Sequence, residues 1–447
     1  MRRLILAPLL VSTLAMAEAA RPLDPSADLE ARTLSLADAI AFARKNSPRL
    51  RAARAAIERA RGEEQAAFAP FLPEVGLLSQ SGVTSDNQGP GATGPTGFIL
   101  TGTPGTHAYT QTELQLQWTL YDFGRRAGRK NQAAARERIA ELQFARAQQT
   151  VEFDVTAAYV NILLARASLV VQEDAIRQAE ATLKDARAQL KGGVADPSDV
   201  LRAEVQLSES RDAAVNAREA ELVAIAQLNN VMGRDSALPL RVLDLDLPPP
   251  ERLPSLAESL QVAAAHRPER GFAMQAVVAA QEGVATAKAE FLPRFLVRAS
   301  TGRVDGTNVL PGWQAGAGLH LEIPLYTGGR LSGDLHSAEA GVAAAVAEQQ
   351  VILDAISLEV NRAFQSVVAA GQRIDLSRPA VDHALENLRL MRVKYGNGDA
   401  TPTDIVDAET ALTRSRQRLN SAVYTYLVAL ARLDYAMSRE QRPRGNP

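Results

Sequence analysis

Two carboxylates in the last sixth of the chain, Asp404 and Asp407, are three residues apart, a spacing that puts both on one face of a helix. Carboxylates placed in this way can cap a helix or attract cations. Thr401 and Pro402 precede them and suit the N-cap and the first helical position, so Asp404 falls where an acid favours the helix dipole. Capping alone would explain Asp404, whereas Asp407 has no such structural explanation.

The sequence shows no constellation of residues typical of a catalytic or metal site. The chain has no cysteine, so it can form no disulfide, no thiolate metal site and no lipid-modified N-terminal cysteine. No His-Glu-x-x-His motif is present. We therefore predict that the protein is not an enzyme and holds no metal or cofactor. The five histidines stand apart in sequence: His107, His266, His320, His336 and His383.

Charge and the N-terminal residues limit the protein class further. Among 447 residues, 49 Lys and Arg nearly balance 51 Asp and Glu, which argues against a nucleic-acid partner. Residues 1–17 combine a basic start, an apolar run and an Ala-Met-Ala end, and we predict a signal peptide there. The alternative, an uncleaved anchor, would need about 20 apolar residues. No later stretch reaches that length, so the sequence predicts no helical membrane span.

One strand that leads directly into a very long helix organises the chain. Residues 112–121 alternate apolar and polar side chains, as in a strand with two different faces. Residues 125–190 contain no proline and are rich in residues that favour helices. A helix of that length extends ~100 Å, whereas an ordinary domain is only a few tens of Å across. The sequence therefore predicts an elongated molecule.

The chain also repeats itself. Phe71-Leu72-Pro73 returns as Phe291-Leu292-Pro293, and Gly124-Arg125 returns as Gly329-Arg330. We predict a first structural repeat at 18–232, a linker at 233–254, a second repeat at 255–438 and a tail at 439–447. The predicted strands are 74–84, 112–121, 294–301 and 313–323, and the predicted helices are 35–69, 125–190, 198–232, 256–290, 330–395 and 403–436.

The apolar faces of the strands suit either a globular core or lipid. Polar opposite faces, aromatic residues near strand ends and an export signal favour strands of a membrane barrel. Four strands would leave unpaired edges in lipid, so closure needs several chains: two give eight strands with a filled interior, and three give twelve with a channel. The predicted lipid-facing residues are Leu114, Leu116, Trp118, Leu120, Leu319 and Leu321.

The helical ends carry heptad seams with many small residues. One such seam, Ile176, Ala179 and Leu183, is repeated at Val381, Ala384 and Leu388. A solvated antiparallel coiled coil without a pore would show the same pattern.

Taken together, the duplicated Phe-Leu-Pro, the Leu-Tyr-x-x-Gly-Arg passage and the stretch from Tyr395 to Asp407 resemble TolC-type outer-membrane efflux proteins. The resemblance covers essentially the whole mature chain. It implies a mixed α and β membrane protein, in which a homotrimer forms a 12-stranded β-barrel in outer-membrane lipid. A long α-helical barrel would continue from it into the periplasm and dock a periplasmic adaptor and an inner-membrane pump of the RND, ABC or MFS type.

The same resemblance assigns residues to the periplasmic entrance. Asp404 and Asp407 match acidic positions that would form carboxylate rings, and Tyr395 matches a gating tyrosine, although it also fits a heptad seam. Asp199 matches an acid on the other hairpin. Ala400 stands where relatives carry a latching arginine, so Arg202 becomes the candidate substitute, facing the position of Asp407.

We therefore predict a passive exit duct for efflux or secretion. The alternative from another class is a periplasmic adaptor or coiled-coil scaffold, because these proteins also use long helical hairpins. The sequence leaves the exported cargo open.

Overall fold

The computed structural model describes residues 33–86, 105–193, 196–245, 253–307, 312–397 and 399–439. The predicted signal peptide lies outside these residues, as does the predicted tail except for its first residue. The elements are β1 (Thr33–Leu34), α1 (Leu36–Asn46), α2 (Pro48–Phe68), β2 (Glu74–Asp86), β3 (Gly105–Tyr121), α3 (Arg125–Lys191), α4 (Pro197–Met232), β4 (Arg241–Val242), α5 (Leu256–His266), α6 (Pro268–Ala289), β5 (Arg294–Gly306), β6 (Gly312–Glu322), α7 (Arg330–Gly396) and α8 (Pro402–Ala436).

The long strands form one antiparallel sheet in the order β2-β3-β5-β6, and β1 pairs with β4 in a separate parallel ribbon. Strands β2, β3 and β5 extend beyond the predicted ends, into segments whose glycine and threonine content had indicated loops, whereas β6 begins and ends one residue earlier than predicted. Gly302 shows why, since a Cβ there would lie 2.5 Å from the carbonyl oxygen of Thr112 on the neighbouring strand. Glycine thus permits pairing where composition alone suggested a loop.

Each predicted helix before a strand pair is in fact two helices. The single helices predicted at 35–69 and 256–290 are broken at Ser47 and Arg267, directly before Pro48 and Pro268. Proline disfavours helical geometry in the residue before it and suits the first turn of a new helix. The other four predicted helices agree with α3, α4, α7 and α8 to within one residue at each end.

The helices lie in two rows that share their long members. Above, next to the sheet, the order is α2-α3-α6-α7; below, it is α4-α3-α8-α7. The 67-residue helices α3 and α7 run through both rows. Each row, like the sheet, therefore has two open edges, formed by the first and last members.

Sharp turns connect strand to long helix. Gly124 and Gly329 precede α3 and α7 with φ angles of 95° and 85°, a left-handed conformation that favours glycine. Phe123 adopts φ 54° where the second half has Gly328 at φ 64°. Arg126 secures the first junction: its guanidinium donates to the carbonyl of Thr119 at 2.6 Å and forms an ion pair with Asp122 at 2.9 Å.

Two apolar cores hold the middle of the molecule. One packs α1, α3 and α4 with the β1–β4 ribbon, and the other packs α5, α7 and α8. Tyr159 is fully buried in the first and donates its hydroxyl to the carbonyls of Leu34, at 2.9 Å, and Leu243, at 2.7 Å. Burial raises the pKa of this tyrosine to about 12, so its hydroxyl stays protonated.

The prediction that no later stretch is long and apolar enough for a helical span was wrong. Both α3 and α7 contain an 18-residue window that meets this test by length and composition. In α3, 50% of the window is buried inside the subunit, as in the core helix of a soluble protein. In α7 only 6% is buried, so this helix carries apolar surface that the described part of the chain leaves uncovered.

Candidate functional site

The residues predicted to line the entrance lie at the far end of two helical hairpins, α3–α4 and α7–α8. Asp404 is part of a capping box: its carboxylate accepts from the N–H of Thr401 at 2.8 Å, and the Thr401 hydroxyl accepts from the N–H of Asp404 at 3.3 Å. The Thr401 N–H, the Thr401 hydroxyl and the charge of Lys394 together lower the pKa of Asp404. The capping role predicted from Thr401 and Pro402 is confirmed, and the carboxylate is nevertheless exposed.

Asp199 repeats this arrangement on the first hairpin. It completes a capping box with Asp196, whose N–H donates to the Asp199 carboxylate at 3.3 Å. Asp407 lies one turn beyond Asp404, is exposed, and has no hydrogen-bond or ion-pair partner among the described residues. Its charge is therefore free to act on ions near the hairpin ends.

Two side chains bridge the hairpins at their ends. Arg202 donates to the hydroxyl of Thr403 at 2.5 Å, so it contacts α8 one turn before the Asp407 position that the sequence suggested. Tyr395 donates its hydroxyl to Oε1 of Gln189 at 2.7 Å. Partial burial, together with the charges of Asp199 and Asp185, raises the pKa of Tyr395. The roles of these residues in closure stay predictions.

A third bridge was missed from the sequence. Glu409 is only 4% exposed and accepts from the hydroxyl of Thr182 at 2.9 Å, while Arg392 forms an ion pair with it at 3.2 Å. Because Thr182 and Glu409 are 227 residues apart, no local pattern joins them. The only sequence signal is the repeat itself, in which Arg187 and Glu204 form the equivalent pair at 2.7 Å on the first hairpin.

A cleft lies between the hairpins near these bridges. Its volume is about 770 Å³, and its walls include Thr182, Gln189, Arg392, Tyr395 and Ile405. Farther along the same seam, Arg416 reaches Asp174 at 3.3 Å. The hairpins of one subunit are thus joined by hydrogen bonds and ion pairs at several levels.

At the opposite end of the molecule the sheet has one apolar face. Val75, Leu116 and Ala317 lie in one row across the strands of this face. Trp118, Val297 and Leu319 lie in the next row. Five of the six predicted lipid-facing residues are exposed, from 39% for Trp118 to 66% for Leu319, and the sixth, Leu116, is half-buried. The members of this group are Leu114, Leu116, Trp118, Leu120, Leu319 and Leu321.

Leu120 departs from simple alternation. It is the extra residue of a β-bulge, since Thr119 pairs with Leu296 and Tyr121 pairs with Phe295. Tyr121 therefore joins the apolar face beside Leu120, and both are exposed.

The apolar face ends in a polar zone toward the far strand ends. There the hydroxyls of Ser79 and Thr112 are 3.1 Å apart, and Arg303 pairs with Asp305 at 2.7 Å. Trp313, paired with Arg303 across the ladder, is 74% exposed at this border. An apolar band bounded by a polar zone with an aromatic residue at the border is typical of strands that cross an outer membrane.

The other face of the sheet is polar. Arg298 forms an ion pair with Glu322 at 3.1 Å, and Gln80 donates to Gln111 at 3.0 Å. Within the described residues, no group of His, Cys, Asp or Glu side chains could hold a metal ion. The arrangement offers charged surfaces and a joint between hairpins rather than a constellation for catalysis.

Comparison with known proteins gives the family. The family model for outer membrane efflux proteins matches residues 39–234 and 259–439, most of the chain. The chain belongs to the outer membrane efflux protein family. It is similar to the protein CyaE of Bordetella pertussis, with 28% identity over 409 residues, which cover 89% of this chain and 82% of CyaE. It is also similar to the outer membrane efflux protein BepC of Brucella suis, with 26% identity over 402 residues, covering 88% and 83%.

The fold matches solved outer-membrane channels. Against the outer membrane protein VceC of Vibrio cholerae the TM-score is 0.77 at 21% identity, covering 90% of this chain and 96% of VceC. The resemblance to TolC-type proteins is confirmed, and so is the mixed fold with a long helical barrel. The family decides between the two alternatives in favour of an exit duct of the outer membrane that extends into the periplasm. Its members are passive channels, not enzymes.

Proposed function

We propose that three copies of this chain close into one channel that carries cargo from a periplasmic entrance to the cell exterior. The sheets would form a twelve-stranded barrel in the outer membrane, and the two helical rows would continue it as a tunnel. The chain would supply the path and the gate, while an inner-membrane pump supplies the energy. The two structural repeats, 18–232 and 255–438, would be the building units of this ring.

One observation carries the proposal: within the described residues the sheet and both helical rows end in open edges, and the edge helices carry exposed apolar residues. Leu201 and Val215 on α4 are 62% and 66% exposed, and Leu376 on α7 is 75% exposed. Water-facing side chains of this kind on two opposite edges favour a head-to-tail ring of copies. In lipid, the unpaired strands β2 and β6 impose the same requirement, because each unsatisfied backbone group costs several kcal/mol.

The number of copies follows from the strand count. A barrel of about eight strands has an interior filled by side chains, whereas larger barrels leave an aqueous channel. With the four-stranded sheet of the described residues in each copy, a hollow path favours three or more copies over two. Three is also the number that resemblance to the family implies.

The gate in this proposal is the joint at the hairpin ends. Tyr395 with Gln189 and Arg202 with Thr403 would hold the entrance closed. Threefold symmetry would turn Asp404, Asp407 and Asp199 into rings of carboxylates, which concentrate cations at the mouth. The hairpin ends would also receive the periplasmic adaptor, and through it the pump of the RND, ABC or MFS type.

The test is reconstitution of the full chain. Its mass in detergent by light scattering should equal three copies, and planar lipid bilayers containing it should show discrete conductance steps. A single copy that stays soluble without detergent and never conducts would contradict the proposal. Co-purification from outer membranes after cross-linking would then identify the adaptor and the pump.

A further inference from the structure

The polar face of the sheet contains a notch. It has a volume of about 580 Å³ and lies over the middle of β3, β5 and β6. The side chains on its walls include Gln115, Gln117, Arg298, Ser300 and His320. Sites for small molecules have volumes of about 300–1,000 Å³, so the notch is large enough for one. In the barrel of the proposed function this face would line the lumen, and a solute in the duct would pass the notch.

Glycine forms the floor of the notch. Gly318 pairs with Arg298 of β5, and Gly316 lies on the same face of β6, two residues earlier. A Cβ at Gly316 would meet nothing within 4 Å in the described chain, and one at Gly318 would meet only Nε2 of His320, at 3.4 Å. Packing within the described residues therefore does not require glycine at either position. The two glycines leave open a space that side chains would otherwise fill.

That space calls for a neighbour outside the chain. Glycine within a strand weakens it, and it marks a bulge, a bend, or a place where a ligand or another backbone approaches closely. The pairing of β5 with β6 runs without a register shift from Arg294 opposite Glu322 to Val304 opposite Gly312, which argues against a bulge or a sharp bend. No other backbone of the described chain lies within 4 Å of the Cβ position of Gly316. These observations favour a ligand.

Arg298 gives the notch a cation whose donors are mostly unused. Its side chain is 46% exposed, and among the described residues its guanidinium donates only to Oε1 of Glu322, at 3.1 Å. That carboxylate is held mainly by Arg294, which contacts its Oε2 through both Nε and Nη2. Two guanidinium groups thus share one carboxylate. A guanidinium can bind a further carboxylate through a pair of parallel N–H groups.

The other carboxylates of this face lie too far away to neutralise Arg298. Glu113 pairs with Gly302 of β5, four residues from Arg298 and about 14 Å away along the strand. Glu74 lies on β2, two strands from Arg298, at about 10 Å. Both distances exceed the Debye length of about 8 Å at physiological ionic strength, so these charges are largely screened. The uncompensated charge at the notch is that of one guanidinium.

We propose that the notch binds the carboxylate of a solute in the duct. Two N–H groups of Arg298 hold its oxygens, the Gln117 amide and the Ser300 hydroxyl donate from the walls, and the glycine floor admits the rest of the ligand. A single negative charge binds better than the more highly charged phosphate, because Glu322 borders the site and repels additional charge. The proposal rests on the proposed function and deepens it, since it names monocarboxylates as solutes that pause in the lumen.

The first test uses butyrate as the probe, with butanamide as its uncharged match. Saturation-transfer NMR of the full chain in a neutral detergent should show saturable contact with butyrate but not with butanamide. Arg298→Gln should lower the affinity for butyrate on the order of tenfold, because a charged hydrogen-bond donor is lost. Arg303→Gln is the matched control: Arg303 lies on the same strand but on the other face, where it pairs with Asp305, and its replacement should not change binding. Equal affinity of the unmodified chain and Arg298→Gln would overturn the inference.

The second test separates binding from a structural role of the ion pair. Glu322→Gln removes both the competing partner of Arg298 and the repulsion of the ligand, so butyrate should bind several-fold more tightly. A purely structural role predicts no gain. Gly318→Leu fills the notch and should abolish binding, whereas Ala317→Leu, on the opposite face, should leave it unchanged. Weaker binding in Glu322→Gln, or unchanged binding in Gly318→Leu, would contradict the proposal in variants whose circular dichroism matches that of the unmodified chain.

Inorganic phosphate distinguishes the two kinds of oxyanion. It should displace butyrate only at concentrations above those at which butyrate itself saturates the site. Displacement at lower concentrations would identify a phosphate site and overturn the assignment to carboxylates.

The outcomes also separate this inference from the proposed function, because binding in detergent does not depend on conductance. Butyrate bound through Arg298 by a chain that never conducts would support the site and contradict the duct. A chain that conducts but shows no saturable contact with butyrate would leave the duct in place and overturn the site.

Discussion

The hydroxyl of Tyr395 donates a 2.7 Å hydrogen bond to the side-chain amide oxygen of Gln189, which ties α7 of the second hairpin to α3 of the first. Tyr395→Phe removes this hydrogen bond and keeps the aromatic ring of the side chain. A hydrogen bond of this kind contributes about 1 kcal/mol, so the closed state should lose roughly a factor of five per subunit. Single-channel recordings should show a higher open probability. Tyr326→Phe, at a side chain that is 90% exposed, should behave like the unmodified chain.

The same tyrosine predicts a response to alkaline pH. The pKa of Tyr395 is raised above the ordinary value near 10, mainly by burial and also by the charges of Asp199 and Asp185. A raised pKa means that the folded contact favours the protonated hydroxyl. Its stabilisation is therefore complete below about pH 10 and is lost as pH rises through the raised pKa. Open probability should increase in that range, and Tyr395→Phe should remove the step. A step of the same size in the variant would contradict this assignment.

Single replacements of Asp407 and Asp404 should have different effects on thermal stability. Asp407→Asn removes a carboxylate that has no partner in the described chain, so block of the current by multivalent cations should weaken while thermal stability is unchanged. Asp404→Asn should weaken block as well, and it also disrupts the capping box with Thr401. The depressed pKa of Asp404 predicts that its stabilisation is present at neutral pH and lost as pH falls through that pKa. Cation block that is unchanged in the double variant would remove both residues from the pore.

Thr182→Val tests the buried bridge. The substitution keeps the shape of the side chain but leaves the Glu409 carboxylate with only Arg392 as a partner. Loss of one partner of a buried polar group costs about 1–3 kcal/mol. Thermal unfolding in detergent should therefore shift downward. Thr413→Val, on α8 and half-buried, removes a hydroxyl that makes no side-chain hydrogen bond among the residues described, and should shift unfolding much less. Equal shifts would show that Thr182 contributes through packing alone.

Glycine replacements at different backbone conformations should have opposite signs. Gly124→Ala and Gly329→Ala force a side chain into left-handed geometry, which costs roughly 1–2 kcal/mol. Gly341→Ala lies within α7, where a Cβ meets nothing, and should stabilise the helix by about 0.5–1 kcal/mol. Midpoints of thermal unfolding of the three variants provide the comparison. A stabilising effect at Gly124 would mean that this turn relaxes to another conformation.

Local sequence signals were sufficient for much of this fold. Alternation in residues 112–121 and the glycines at 124 and 329 located the strand-to-helix passages, and Thr401-Pro402 predicted the capping of Asp404. The helices predicted at 35–69 and 256–290 ran through Pro48 and Pro268, which in fact begin new helices. Because proline acts on the residue directly before it, these two breaks are also encoded locally in the sequence.

Contacts between distant segments could not be predicted in the same way. The sequence placed Arg202 opposite Asp407, but the way in which two hairpins lie together decides its partner, which is Thr403. The bridge between Thr182 and Glu409 joins two helices whose side-chain patterns are each ordinary. Only the relative rotation of α3 and α8 brings these two residues together, and that rotation is a property of the whole packed row.

The unbroken length of α3 and α7 constrains how this protein can change through evolution. One inserted residue would turn everything beyond it by about 100° around the helix axis, exchanging buried side chains for exposed ones along the entire remaining length. Changes in the length of the long helices are therefore confined to insertions or deletions of whole heptads. They must also occur together in the long helices and in the short ones beside them, in both halves of the chain. The two long helices consequently fix the reach of the molecule across its compartment as a single dimension.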